Sequence, residues 1–195
     1  MPATLRQAVR LVAVLNLSYF GIEAAVALTI GSVALFADSI DFLEDASVNL
    51  LILLALAWSP KARARLGMVL AGILLVPGLA TLWMAWHKLA QPDPPAPVPM
   101  SLTGVGALAI NLLCALMLVS FRHHGGSLSR AAFLSARNDV LANIAIMAAA
   151  GMTALFPSAW PDLIVGLGIA ALNADAAREV YTAARSEHGN AGHGA

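Results

Sequence analysis

Six apolar stretches, each longer than twenty residues, run through this 195-residue chain and constrain its fold more than any other feature. They lie near 8–30, 33–57, 65–89, 100–121, 131–155 and 160–184. An α-helix needs about 20 such residues to cross about 30 Å of hydrocarbon, so each stretch is long enough to span a bilayer. Between them stand Gly31-Ser32, Ser59-Pro60 with three bases, the run QPDPPAPVP at 91–99, RHHGG at 122–126, and Phe156-Pro157-Ser158. Pro removes a backbone donor and Gly adds backbone freedom, so helices end at such places. Charged residues are 11% of the chain, against about a quarter in a soluble domain, which excludes a water-soluble bundle. Aromatics are only 6%, and the apolar excess is Ala, Leu, Val and Ile without strand-like alternation, which argues against a girdled β-barrel. The fold class expected is therefore all-α: a polytopic membrane protein with six transmembrane helices.

The first stretch carries Asn16, Tyr19 and Glu23 and has no small-residue cleavage site before the second, so it reads as a retained helix rather than a signal peptide. Arg6 and Arg10, Lys61, Arg63 and Arg65, Arg122 and Arg130, and Arg178 and Arg185 all fall on one side of the membrane in this threading. These are nine of the eleven bases; Lys88 falls on the other side and Arg137 lies within the fifth helix. Basic loops stay inside, so both termini are expected in the cytoplasm of a cell whose inner or plasma membrane holds the protein. Residues 1–185 form the transmembrane domain, and 186–195 read as a short flexible cytoplasmic tail. Acids and bases balance at 11 each, which points to no nucleic-acid partner. The single cysteine, Cys114, excludes an intramolecular disulfide and a thiolate cluster.

Within these apolar spans lie Glu23, Asp38, Asp41, Glu44, Asp45 and Asp139. A carboxylate at the bilayer centre costs about 2.5–3.5 kcal/mol on insertion scales, so six facing lipid would cost on the order of 15–20 kcal/mol. They are expected instead to face an aqueous cavity, a cation or one another. On the second helix, Asp38, Asp41, Asp45 and Asn49 fall within about 80° of arc, one stripe of oxygen ligands, with Glu44 off it. On the fifth, Ser135, Asp139 and Asn143 share a stripe flanked by Asn138, while Arg137 points away. Asp41 and Asp45 of a descending helix reach a depth similar to that of Asp139 on an ascending one. Two facing helices could so bring three carboxylates together. Such a trio cannot all be ionised in low dielectric, so at least one keeps its proton until a cation arrives. A divalent cation displaces those protons on binding, which is the physical basis of metal/proton exchange.

The residues also resemble a known family. GSVALFADSIDFLED in the second helix looks like the second helix of the cation diffusion facilitators, NDVLAN with the position four before Asp139 is similar to their fifth, and WPDLIVGLGIAAL reads like their sixth. The resemblance extends over essentially all six helices. It implies a homodimeric exporter that exchanges cytoplasmic divalent metal for protons at a tetrahedral mid-membrane site. Carried over by position, that site falls on Asp41 and Asp45 in the second helix and on Ser135 and Asp139 in the fifth. The family often has His, Asp or Asn where this chain has Ser135, so Asn143 or a water are alternatives for the fourth ligand. Most members add a cytoplasmic metal-binding domain after the sixth helix, and this chain reads as a short form without it.

An all-oxygen ligand set lacks the imidazole that favours zinc, which shifts preference toward manganese or iron(II), yet such sets also hold zinc and cobalt. The family keeps zinc-like transition metals as the leading class of substrate, and no prosthetic group is expected. Glu23 and Asn16, seven residues apart on one face of the first helix, are expected to line a pathway or to hydrogen-bond a neighbouring helix. Glu44 is expected to pair with Arg137 or to help load metal. His123 and His124, like Asn173 and Asp175, are candidates for a cytoplasmic approach, and Gly166 and Gly168 for close helix packing. Trp83, Trp86 and Trp160 read as an interfacial belt, and Pro77-Gly78 as a kink. No nucleophile–base pair, phosphate loop or cofactor fingerprint is present, so the chain is not read as an enzyme. Two other readings predict different behaviour: a membrane subunit that senses or delivers metal without moving it, and a proton relay that binds no metal.

Overall fold

A computed structural model describes residues 3–55, 78–119, 126–174 and 178 of the chain. Six helices and no strand are found among them: α1 (Ala3–Ile30), α2 (Val33–Ala55), α3 (78–90), α4 (Pro97–Val119), α5 (Gly126–Leu155) and α6 (Trp160–Ala174). α4 starts three residues before the expected position because Pro97 and Pro99 fit a first helical turn, where backbone N–H groups have no intrahelical partner anyway. The expectations for 56–77, including the kink at Pro77, and for Asp175 lie outside the described residues.

Local chemistry explains the tight α1–α2 turn. Gly31 takes φ +66°, a conformation that costs glycine nothing, and the Ser32 N–H donates back to the Ala27 carbonyl at 3.0 Å, closing α1. Ser32 then caps α2, its Oγ accepting the Leu35 N–H at 3.1 Å. A two-residue link leaves α1 and α2 as antiparallel neighbours. α4 and α5 form a second such pair, and the two pairs pack through α1 against α4 and α2 against α5.

The core between them is built from small side chains. Ala27, Ala34, Ala37, Ala149 and Ala150 meet Leu35, Met100, Ile146 and Ile169, so five of the six helices contribute. Small residues let helix backbones approach in a solvent where apolar surface by itself gives no preference between lipid and protein. At Gly166 the approach is closest: a Cβ there would lie 2.7 Å from the backbone of Val33 and Ala34, so α6 rests directly on the first turn of α2. Gly168 has no such neighbour, and that expectation is corrected.

The distribution of polarity is the reverse of a soluble protein's. Leu102 is 69% exposed, Ile164 67% and Trp86 69%, while Asn16, Glu23, Asp38 and Asn143 are completely buried. Trp83, Trp86 and Trp160 all point outward, as a ring belt at a membrane interface would. Taken singly, Arg6–Ile30 and Pro97–Leu118 are long and apolar enough to cross a bilayer. α2 carries four acids between Asp38 and Asp45, so its place in a membrane depends on the surrounding bundle to enclose them.

Candidate metal centre

The interior acids come from three helices. α2 supplies Asp38, wholly buried, and Asp41 and Asp45, both half-buried. α5 supplies Asp139, 9% exposed, and beyond it Asn143. Asp139 is close enough to both Asp41 and Asp45 for their charges to repel across the α2–α5 contact. The pairing of helices expected from the spacing is thus present. Among the described residues, however, no three His, Cys, Asp or Glu side chains close around one point. The acids share a face without forming a finished coordination shell.

Each of two amides is tied to its own helix. Asn49 donates through Nδ2 to the Asp45 carbonyl at 2.7 Å, and Asn143 does the same to the Asp139 carbonyl at 2.8 Å. In both, the side-chain Oδ1 is buried and receives no hydrogen bond. Such acceptors are costly to bury unless something positive approaches them. Ser135 and Asn138 lie on α5 within the turn before Asp139, but their side chains, with that of Arg137, fall outside the described residues, as do His123 and His124. Glu44, half-buried, borders a mostly apolar cavity of about 270 Å³ between α2, α3 and α6, and its charge still reaches Asp41 and Asp139. Asn173 donates to the Ala37 carbonyl at 3.2 Å, so it binds α6 to α2.

α1 turns its polar face to α2. Asn16 directs Nδ2 toward Asp45 Oδ2 at 3.4 Å, while its Oδ1 accepts from the Cys114 thiol of α4 at 3.5 Å. The thiol donates and the carboxylate accepts, which sets the amide with its nitrogen facing Asp45. Asn16 thus links the Asp45 carboxylate of α2 to α1 and α4. Groups that orient a ligand change metal affinity by about 10–100-fold when removed. Asn16→Ala is expected to weaken metal binding by about that factor with the protein still folded, as titration calorimetry in detergent would measure. An unchanged Kd would remove Asn16 from the site.

A second polar cluster closes the end of the bundle where α1 turns into α2. Asp162, completely buried, accepts the Ser32 hydroxyl at 2.6 Å and the N–H groups of Val33 and Ala34 at 2.9 and 3.1 Å. Lys88 of α3 donates to the same carboxylate at 2.7 Å and to the Gly31 carbonyl at 2.6 Å. One carboxylate thus caps α2, favoured there by the positive end of the helix dipole, and ties it to α3 and α6. Lys88, the one base expected on the far side of the membrane, is 7% exposed and paired. Asp162 was not singled out, although Trp160-Pro161-Asp162 opens α6 with Pro in its first turn.

An apolar-surfaced bundle with carboxylates gathered inside defines a polytopic membrane protein whose interior suits cations. A model of the cation efflux transmembrane domain matches residues 9–187. The chain belongs to the cation efflux family, membrane proteins that carry metal cations. No curated protein matches it closely enough to count as a relative.

Proposed function

We propose that this chain exports a divalent transition metal from the cytoplasm in exchange for protons, by alternating access, as a homodimer in the inner or plasma membrane with both termini inside. Asp41 and Asp45 of α2 and Asp139 of α5 hold the ion, with Ser135 or a water completing the shell. The observation that carries this reading is the placing of three carboxylates from two helices inside a bundle whose outer surface is apolar. Moving a divalent ion outward against an inside-negative potential costs about 4.6 kcal/mol per 100 mV, which inward protons offset. The same carboxylates supply the coupling, since protons must leave them before metal binds and return when it departs. Oxygen-only ligands extend the substrate range from zinc and cobalt toward manganese and iron(II).

Proteoliposomes with an acidic lumen test this directly. Zn²⁺, Co²⁺, Mn²⁺ and Fe²⁺ offered outside are expected to accumulate inside, with at least one moving well above protein-free vesicles. Collapsing the pH gradient with an ionophore should abolish the accumulation. Uptake indifferent to the gradient would remove the antiport, and metal binding without any uptake would favour the sensing or delivery role.

A further inference from the structure

Glu23 of α1 and Asp38 of α2 lie within hydrogen-bond reach of each other, carboxyl to carboxyl, and both are completely buried. None of their four oxygens receives a hydrogen bond. Three donors on the same helices are engaged with backbone carbonyls. Tyr19 Oη donates to the Thr103 carbonyl at 2.6 Å, Ser39 Oγ to the Phe36 carbonyl at 2.7 Å, and Asn143 Nδ2 to the Asp139 carbonyl at 2.8 Å. Asn143 itself lies against Asp38, completely buried, with its Oδ1 left without a partner. Four carboxyl oxygens from α1 and α2 thus meet in one buried space beside the Asn143 amide of α5, and among the described residues no hydroxyl or backbone N–H satisfies them. An arrangement of acceptors alone is unfavourable in low dielectric and becomes favourable around a cation.

Place along the helix separates this group from the centre described above. Asp38 precedes Asp41 by three residues, about 4.5 Å of helix rise toward the α1–α2 turn. Exposure falls the same way, since Asp41 and Asp45 are half-buried and Asp38 and Glu23 are completely buried, and the buried residues Ala27, Ala34 and Leu35 lie nearer the α1–α2 turn along the same two helices. Beyond that layer stands the Lys88–Asp162 cluster.

We infer that Glu23, Asp38 and Asn143 form a second divalent-cation site, a station between the Asp41/Asp45/Asp139 centre and the α1–α2 turn. This inference rests on the reading of the chain as a metal exporter, and in the orientation proposed above the station lies on the exit side. It assigns the Asn143 amide oxygen to the second site rather than to the first. Metal leaving the central carboxylates meets Asp38 one helical turn on and passes to Glu23 without crossing bare hydrocarbon.

Equilibrium dialysis of the purified full-length protein against Zn²⁺, and separately Mn²⁺, tests this by counting ions per chain. Two of at least one metal are expected on wild type, one on Glu23→Gln/Asp38→Asn and one on Asp41→Asn/Asp139→Asn, with gel filtration confirming the fold of each. In proteoliposomes the Glu23→Gln/Asp38→Asn protein should keep its central ion but move metal at least about tenfold more slowly. If wild type holds one ion, and that ion is lost only in Asp41→Asn/Asp139→Asn, the exporter reading stands and the second site falls. The same wild-type count overturns the second site even where a variant fails to fold. If wild type holds neither metal and moves none, both readings fall together.

Discussion

Replacing Asp45 and Asp139 together by alanine is expected to bring metal flux down to that of protein-free vesicles, at least about 100-fold below wild type. Each carboxylate contact need contribute only about 1.4 kcal/mol to give a factor of ten, and two are removed, one from each helix. The substitutions touch none of the buried alanines and aliphatic residues that hold the helices together, so the bundle should remain assembled. The repulsion of Asp139 by Asp45 also disappears, which favours the fold. Against this, Asn16 loses an acceptor for its Nδ2, at about 1–3 kcal/mol. A variant that elutes like wild type yet moves no metal separates the site from the scaffold. Flux within about threefold of wild type, less than 1 kcal/mol, would show that the ion is held elsewhere.

The largest effect on stability is expected at Lys88. Lys88→Met leaves the Asp162 carboxylate buried without its counter-charge, a change of about 3–5 kcal/mol. For a chain of this size that lowers the melting temperature on the order of 10 °C, readable from thermal unfolding in detergent. Replacing both partners of a buried pair by apolar residues is often neutral, because desolvation of two charges nearly cancels their attraction. Here it should not be. Lys88→Met/Asp162→Leu also strips the acceptor from the Ser32 hydroxyl and from two N–H groups of the first turn of α2, so the double variant should stay as unstable as the single one. Recovery to wild-type stability in the double variant would mean that the cluster is an ordinary ion pair and not the cap of α2.

These two predictions fall on opposite sides of a division in what could be read from the chain. Asp41 with Asp45, and Asp139 with Asn143, are four residues apart, and helix geometry alone puts each pair on one face. The α1–α2 turn was equally legible, because Gly31 and Ser32 carry out their roles through bonds to residues three to five positions away. Gly166 and Gly168, by contrast, looked alike in sequence, and only one of them meets another helix.

Helix number, apolar length and the polar stripe of each helix follow from residue types and a period of 3.6, and so belong to the amino-acid sequence. Which polar group answers which was decided by packing. Asn16 meets Asp45 across 29 residues, Lys88 meets Asp162 across 74, and Ser32 meets Asp162 across 130. The rotation and height of one helix against the next depend on where small residues let backbones close in, as α6 does on α2 at Gly166. In low dielectric a polar side chain then bonds whatever complement that packing brings to about 3 Å, and no spacing along the chain encodes such a meeting.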